Sequence, residues 1–203
     1  MSRASDRIFI DGGAGKIEVA VDRPAETPVR GVALVAHPHP LYGGTLDNKV
    51  VQTLAKTFVD LGYIALRPNF RGVGRSEGAH DEGRGETEDL LAVLAHARRS
   101  FGELPVVLAG FSFGAAVQTQ IARRVTPQRV VVVGLAVDRF PSETVPRDSI
   151  VIHGERDETV PLARVLDWAR PQELPVIVVP GADHFFHLRL NIIRDIVKNS
   201  WRS

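Results

Sequence analysis

The chain has 203 residues, which is enough for one substantial hydrophobic core and too few to require a second domain. Apolar residues make up 44% of it and charged residues 24%, and the formal charge of +1 argues against nucleic acid or a membrane surface as a partner. The sequence contains no cysteine, which excludes disulfides and thiolate nucleophiles. Any nucleophile must therefore carry oxygen.

The first ten residues contain no long apolar run before Asp11. We therefore expect neither a secretory signal nor a membrane span, and a cytoplasmic location. The chain shows no internal repeat, low-complexity tract or interdomain linker, so we expect residues 1–203 to form a single domain.

Short apolar runs alternate with amphipathic segments along the chain. The runs at 8–10 and 16–21 predict an edge hairpin, because a glycine-rich turn separates them. Further strands are predicted at residues 31–36, 63–66, 105–109, 129–137, 149–154 and 175–179, and helices at 46–61, 87–102, 115–122, 162–168 and 186–201. Asp47 is the predicted cap of the first helix. Apolar strands alternating with helices predict a doubly wound, mostly parallel α/β sheet with helices on both faces.

The segment Gly110-Phe111-Ser112-Phe113-Gly114 joins a predicted buried strand to a helix rich in small residues. Such an abrupt reversal forces its central residue into a poorly populated backbone conformation, at a cost of about 1–3 kcal/mol. The pattern G-x-S-x-G also arises by chance, but a strand before it and a helix after it favour a functional role. Ser112 is therefore the candidate nucleophile.

Polar residues with catalytic potential follow three predicted strands. Ser112 follows the first of these strands, Asp157 follows a later one, and His184 follows the last. In a doubly wound sheet the ligand crevice lies beyond the carboxyl ends of the strands, so these side chains are expected to meet. Asp138, which also follows a strand, is the alternative acid.

Four motifs in this chain resemble those of the α/β-hydrolase superfamily over nearly its whole length. They are Arg71 to Ser76, Gly110 to Gly114, the His-Gly-x-x-Asp-x-x-Val-Pro pattern at residues 153–161, and Gly181 to Phe185. The segment from His37 to Val51 is similar to that of the small, lidless, dienelactone-hydrolase-like bacterial branch. The resemblance implies the α/β-hydrolase fold. Many relatives carry an inserted cap where this chain has a short connection at residues 138–148, so we expect no cap domain and an open site.

The chemistry of acyl transfer indicates what role each of these residues would have. Serine's hydroxyl is a weak nucleophile, so a neutral imidazole, His184, must take its proton, and a carboxylate must orient that ring. Asp157 is preferred over Asp138 because it matches the motif. His187, expected in the last helix, is interpreted as a surface or pocket residue and His153 as structural.

The oxyanion hole needs two backbone N–H groups. Phe113 should supply one. The other should come from the loop after Ala36, where Pro38 and Pro40 have no N–H, which leaves His39 and Leu41. By its position after His37-Pro38, His39 is the predicted donor, and a role for its imidazole stays open.

Two other interpretations of these loops are weaker. A metal site built from His37, His39, His80 and Asp81 lacks regular ligand spacing. The loop from Arg71 to Ser76 is glycine-rich but fits no nucleotide-binding pattern, and the resemblance makes it a structural turn beside the site.

We therefore predict a serine hydrolase that cleaves small carboxylic esters through an acyl-enzyme, with a small-molecule ester as partner and no cofactor or metal. Leu41, Tyr42 and Phe185 are the candidate pocket-lining residues. The same triad also serves thioesterases, amidases, acyltransferases and perhydrolases, and a non-catalytic binding protein that kept the fold is the alternative of another class. The sequence does not separate these activities and does not indicate the oligomeric state.

Overall fold

A computed structural model describes residues 5–25 and 28–201. Its centre is an eight-stranded sheet with the strand order β1-β2-β4-β3-β5-β6-β7-β8. The strands are β1 Asp6–Gly12, β2 Gly15–Asp22, β3 Gly31–Ala36, β4 Tyr63–Pro68, β5 Val106–Phe111, β6 Arg129–Val133, β7 Ile150–Gly154 and β8 Val176–Val179. The strands from β3 to β8 run parallel, whereas β2 pairs antiparallel with both β1 and β4.

Helices cover both faces of this sheet. They are α1 Lys49–Asp60, α2 Arg84–Phe101, α3 Phe113–Ala122, α4 Leu162–Ala169 and α5 Leu190–Ser200. One face packs against α1 and α5 through a cluster that includes Phe58 and Ile193, and the other packs against α2, α3 and α4 through Leu90, Val117 and Val165. Every residue of β3, β4 and β5 is buried, as continuous apolar runs predict for strands covered on both sides. The predicted doubly wound, mostly parallel sheet is confirmed.

Two predicted helix starts were wrong. The first helix is capped by Asn48, not Asp47, because the Asn48 side chain accepts hydrogen bonds from the N–H groups of Val50 and Val51. The second helix begins at Arg84 rather than at residue 87. The Glu86 carboxylate accepts a hydrogen bond from the Gly83 N–H at 3.0 Å and fixes that earlier start.

Two further boundaries near the sheet's carboxyl edge also differ from the prediction. The strand expected to reach residue 137 ends at Val133, because Gly134 turns the chain with φ of 55°. The last helix begins at Leu190 rather than at residue 186, since Phe186 and Leu188 have φ of 52° and 60° and interrupt helical geometry. His187 consequently lies in a loop.

The connection between β6 and β7, residues 134–149, contains no helix or strand. It runs over the surface without forming a cap, so the carboxyl edge of the central strands stays open. Within residues 5–25 and 28–201, no helix is both long and apolar enough to cross a bilayer.

Candidate active site

Ser112 stands between β5 and α3 in a conformation that side chains rarely adopt. Its φ and ψ are 56° and −117°, and its N–H donates a hydrogen bond to the carbonyl of Val133 at 2.9 Å. A positive φ at a non-glycine residue costs about 1–3 kcal/mol, which the surrounding structure must support. The strained turn predicted at this position is present.

Gly110 and Gly114 allow backbone segments to approach each other around the serine. A Cβ at Gly110 would lie 2.5 Å from the carbonyl oxygen of Gly114. A Cβ at Gly114 would lie 2.4 Å from the carbonyl oxygen of His37. The start of α3 therefore packs directly on the end of β3 and its following loop, which brings Phe113 and the 37–42 loop together beside Ser112.

The structure brings the three predicted catalytic side chains into one hydrogen-bonded row. His184 Nε2 lies 3.0 Å from Ser112 Oγ, and His184 Nδ1 lies 2.7 Å from Asp157 Oδ2. All three side chains are buried. Because a carboxylate only accepts hydrogen bonds, the proton between His184 and Asp157 sits on Nδ1, and the lone pair of Nε2 faces the serine hydroxyl.

Asp157 is held by its own turn. Its Oδ1 accepts hydrogen bonds from the N–H groups of Thr159 at 3.0 Å and Val160 at 2.8 Å, which leaves Oδ2 for His184. Asp138, the alternative acid, lies exposed in the connection after β6 and is not brought to His184. The choice between the two carboxylates therefore falls on Asp157.

His184 is packed between an aromatic ring and a glycine. The Phe111 ring centroid lies 5.0 Å from that of His184. A Cβ at Gly134 would lie 3.2 Å from Phe111 Cε2 and 3.3 Å from His184 Cε1, and both distances are tighter than nine in ten real Cβ contacts. The turn that ends β6 therefore leaves just enough room for the imidazole.

His37 stabilises the loop after β3. Its Nδ1–H donates to the carbonyl of Pro38 at 2.6 Å, and its Nε2 accepts from the N–H of Phe70 at 2.9 Å. Burial lowers the pKa of His37 to about 4, so the ring is neutral at pH 7. With both ring nitrogens occupied, His37 has no lone pair left for a metal.

The hydrogen bonds of this loop distinguish the two candidate oxyanion donors. The N–H of Leu41 already donates to His39 Nδ1 at 3.2 Å. Within the described residues, neither the His39 N–H nor the Phe113 N–H donates to another protein group. These two amides are therefore the ones free to bind a substrate oxygen.

The His39 ring packs in a cluster of aromatic side chains, and the sequence did not predict the contact with Phe140. Its ring centroid lies 4.7 to 5.1 Å from those of Tyr42, His80, Phe113 and Phe140. Burial, and next the nearby His80, lower the pKa of His39. His80 and Phe140 are far from His39 in the sequence, so spacing gave no signal for this contact.

Of the three candidate pocket-lining residues, Phe185 lines a depression beside the imidazole, whereas Leu41 and Tyr42 are exposed on the loop that carries His39. Leu41 and Tyr42 are 71% and 80% exposed, and Phe185 is 49% exposed. An open depression of about 400 Å³ extends from the imidazole and is lined by Arg156, Glu158, Thr159, Gly181, Asp183, His184 and Phe185.

The remaining polar residues singled out from the sequence have structural partners. His187 is exposed and its Nδ1 lies 2.5 Å from Asp183 Oδ2. Ser76 Oγ donates to the carbonyl of Asn69 and accepts from the N–H of Glu18, which makes the glycine-rich loop part of the scaffold. In the part of the chain that the structure describes, no group of three or more His, Asp or Glu side chains is arranged to hold a metal.

Comparisons with known proteins agree with this geometry. The family model described as serine aminopeptidase, S33, matches residues 41–161. An α/β serine hydrolase homologue from Coxiella burnetii is 35% identical, with a TM-score of 0.89 and full coverage of both chains. A lidless α/β serine hydrolase from Xanthomonas campestris is 34% identical, with a TM-score of 0.90 and coverage of 98% of this chain and 94% of that one.

Curated relatives extend the comparison. An uncharacterised protein from Rickettsia prowazekii is 33% identical in an alignment of 198 residues that covers 90% of this chain and 83% of that protein. Vertebrate lysophosphatidylserine lipases match at 26–28% identity, and the chain spans only 30–35% of their length.

Proposed function

Because the chain belongs to the α/β serine hydrolase superfamily, we propose that it cleaves small carboxylic esters with Ser112 as nucleophile, His184 as base and Asp157 as orienting acid. The comparisons confirm the superfamily and its lidless fold. The observation that carries the catalytic assignment is the continuous row from Asp157 Oδ2 through the imidazole to Ser112 Oγ, with contacts of 2.7 and 3.0 Å.

In the first half-reaction, Ser112 Oγ attacks the ester carbonyl carbon while its proton passes to His184 Nε2. Asp157 stabilises the imidazolium that forms, and the N–H groups of His39 and Phe113 donate to the carbonyl oxygen as it becomes negative. The carbon–oxygen bond to the alcohol then breaks. His184 returns the proton to the departing oxygen, and the acyl group stays on Ser112.

In the second half-reaction, water takes the place of the alcohol. His184 removes a proton from the water as its oxygen attacks the acyl carbon, and then gives that proton to Ser112 Oγ as the acid leaves. The enzyme returns to its starting state. The strained serine and the buried base are fixed before substrate arrives, so little reorganisation is needed during the reaction.

The proposed substrate is a small ester with an apolar group next to the scissile bond. The missing cap leaves no deep tunnel for a long chain, whereas Leu41, Tyr42 and Phe185 offer apolar contact at the rim. The vertebrate relatives are named as lipases, and lipases cleave ester bonds, whereas the matching family model is described as serine aminopeptidase, which implies amide bonds, so amide substrates belong beside the esters in the test. The low identity and greater length of the vertebrate relatives lend no support to a particular lipid.

A fluorophosphonate probe and a chain-length series of activated esters test this proposal. The probe should label the native protein at Ser112 and leave Ser112→Ala unlabelled, with turnover of the best ester lower by several orders of magnitude in that variant. Ser100→Ala, at an exposed serine of α2, is the matched control and should behave as the native protein. A native protein that neither reacts with the probe nor turns over any ester would instead be a binding protein on this fold.

We also propose that the chain acts as one domain, since both apolar clusters share a single sheet. Limited proteolysis should then yield no smaller stable core. The cytoplasmic location stays a prediction, which cell fractionation would test.

A further inference from the structure

His153 is a second buried histidine beside the catalytic row, and the mechanism above does not use it. It lies in β7, one residue before the strand ends, and its side chain is fully buried. Its Nε2 lies 2.9 Å from the carbonyl oxygen of Val160 and 3.5 Å from Asp157 Oδ2. Its Nδ1 has no hydrogen-bond partner within the described residues.

These contacts determine where the proton of His153 sits. The Val160 carbonyl can only accept a hydrogen bond, so the proton is on Nε2. Burial lowers the pKa of His153, which keeps the ring neutral at pH 7. His153 therefore presents one N–H dipole, which is hydrogen-bonded to the Val160 carbonyl, and the Asp157 carboxylate lies close to the same nitrogen.

The same N–H closes the turn that holds Asp157. Val160 makes both contacts. Its N–H donates a hydrogen bond to Asp157 Oδ1, and its carbonyl oxygen accepts one from His153 Nε2. Asp157 Oδ2, which accepts a hydrogen bond from the His184 Nδ1–H, has the His153 Nε2 as its second polar neighbour. A donor at 3.5 Å is long for a hydrogen bond, so it acts on Oδ2 mainly through its electric field.

Few other charges surround this pair. Glu155, Arg156 and Glu158, on the same loop, are exposed to solvent. The charged residues of α4, which packs on this face of the sheet, are exposed as well, and the pairing partner of His153 in β8 is Val178. Among the described groups near His153, only Asp157 and His184 are both buried and titratable.

We propose that His153 is a positioning residue that acts on His184 through Asp157. This inference rests on the proposed function, because it concerns the same triad. The His153 N–H draws negative charge on Asp157 away from His184 and holds the Asp157–Val160 turn against β7. Without that donor, Asp157 holds the imidazolium more tightly, so the base keeps its proton up to a higher pH.

Two substitutions, whose side-chain amides extend to different distances, distinguish an electrostatic role of His153 from a packing role. The amide nitrogen of His153→Gln reaches about as far as Nε2, whereas that of His153→Asn reaches only as far as Nδ1. We expect the acid limb of the kcat/KM profile to stay in place in His153→Gln and to move up by about half to one pH unit in His153→Asn. His153→Phe, which has no donor, should move as His153→Asn does.

The NMR titration midpoint of the His184 ring, measured without substrate, is the second readout. It should shift in the same direction in His153→Asn and stay unchanged in His153→Gln. Equal midpoints in the native protein and all variants, with only lower thermal stability, would overturn the inference and leave His153 as a packing residue. If the native protein turns over no ester, the proposed function fails, and the NMR titration still decides the coupling. If His153→Phe does not fold, the amide pair carries the test.

Discussion

Ser112 and His184 depend on neighbours that contribute no chemistry. The φ of 56° at Ser112 is tolerated because Gly110 and Gly114 let the flanking backbones approach, and His184 keeps its place because Gly134 has no side chain. A single methyl group at any of these glycines would displace atoms that must be positioned within a fraction of an ångström. Substitution of these glycines is therefore expected to change the reaction rate by displacing Ser112 or His184.

Gly134→Ala should lower kcat for ester hydrolysis strongly and lower the free energy of unfolding only modestly. The new methyl group would lie 3.3 Å from His184 Cε1, and the φ of 55° at this position adds strain of about 1 kcal/mol. We expect kcat to fall about 10- to 100-fold, because small displacements of a catalytic base carry such costs. Steady-state kinetics and thermal unfolding measure the two effects.

Gly13→Ala is the control for that substitution, since a Cβ at Gly13 would meet no atom within 4 Å. It should leave both kcat and the melting temperature near their native values. If Gly134→Ala kept native kcat while losing stability, the imidazole would not need the space that this glycine leaves.

At the scale of secondary structure, the identity of each element was predictable and several boundaries were not. The strands β3 and β5 are apolar throughout, and short continuous apolar runs next to amphipathic helices are typical of strands covered on both faces. The start of α1 was missed because Asp47 forms an ion pair with Arg7 at 3.0 Å, and this contact is invisible to local sequence patterns. The start of α5 was missed because periodicity carries no information about the positive φ at Phe186 and Leu188.

The same distinction applies to the site. Ser112, Asp157 and His184 were predictable because each lies in the loop after a strand and parallel strands bring their carboxyl ends to one edge. The choice of Asp157 over Asp138 came from the family motif. His80 was placed beside His39 only in the weak metal-site interpretation, and Phe140 was not predicted as its neighbour, because both lie far from His39 in the sequence with no regular spacing. His153 was recognised only as structural, since its distance to Asp157 depends on how the turn folds back on β7.

The cap of α1 offers a test at this scale. Asn48→Ala removes the acceptor for the N–H groups of Val50 and Val51 and should lower the free energy of unfolding by about 1 kcal/mol. Asp47→Asn, the matched control, weakens the ion pairs of an exposed carboxylate with Arg7 and Arg67 and should cost less than that. Urea unfolding of the two variants measures the difference, and the reverse order would restore Asp47 as the cap.

At the scale of the whole molecule, we expect the open carboxyl edge of the sheet to determine how the proposed ester substrate is recognised. Residues 134–149 form no cap, and Leu41 and Tyr42 remain exposed on the loop that carries the His39 N–H. Apolar contact is worth about 25 cal/mol per Å² of buried surface, which makes an exposed leucine and tyrosine useful only when a ligand covers them. Selectivity among esters should therefore come from the rim.

A paired substitution, Leu41→Ser with Tyr42→Ser, should raise KM for esters with longer acyl chains and leave kcat for acetate esters nearly unchanged. The expected change in KM is about 10-fold, because losing apolar contact of this size weakens binding by roughly 1–2 kcal/mol. A chain-length series measured on both proteins checks this. The same loss for acetate and longer esters would indicate damage to the adjacent His39 N–H instead of lost apolar contact.

Buried histidines make the stability of the whole chain depend on pH. Burial lowers the pKa of His37 to about 4, whereas in the unfolded chain the same group titrates near about 6.5. Between these values the unfolded state binds more protons, so the native state loses stability as pH falls from about 6.5 towards 4. The contribution of His37 is about 2 kcal/mol between pH 7.5 and pH 5, and burial of His153 acts in the same direction.

Urea unfolding at pH 7.5 and pH 5 measures this dependence. His37→Gln alters the two hydrogen bonds of the ring, so it should be less stable than the native protein at pH 7.5. Because glutamine cannot take up a proton, the variant should lose about 2 kcal/mol less stability than the native protein on going to pH 5. His96→Gln is the control, since the His96 side chain has only an exposed contact with Ser100, and it should retain the native pH dependence. If His37→Gln and the native protein lost equal stability on acidification, His37 would already be accessible to protons in the folded state, and the loop that carries the His39 amide would be less firmly held than its two hydrogen bonds indicate.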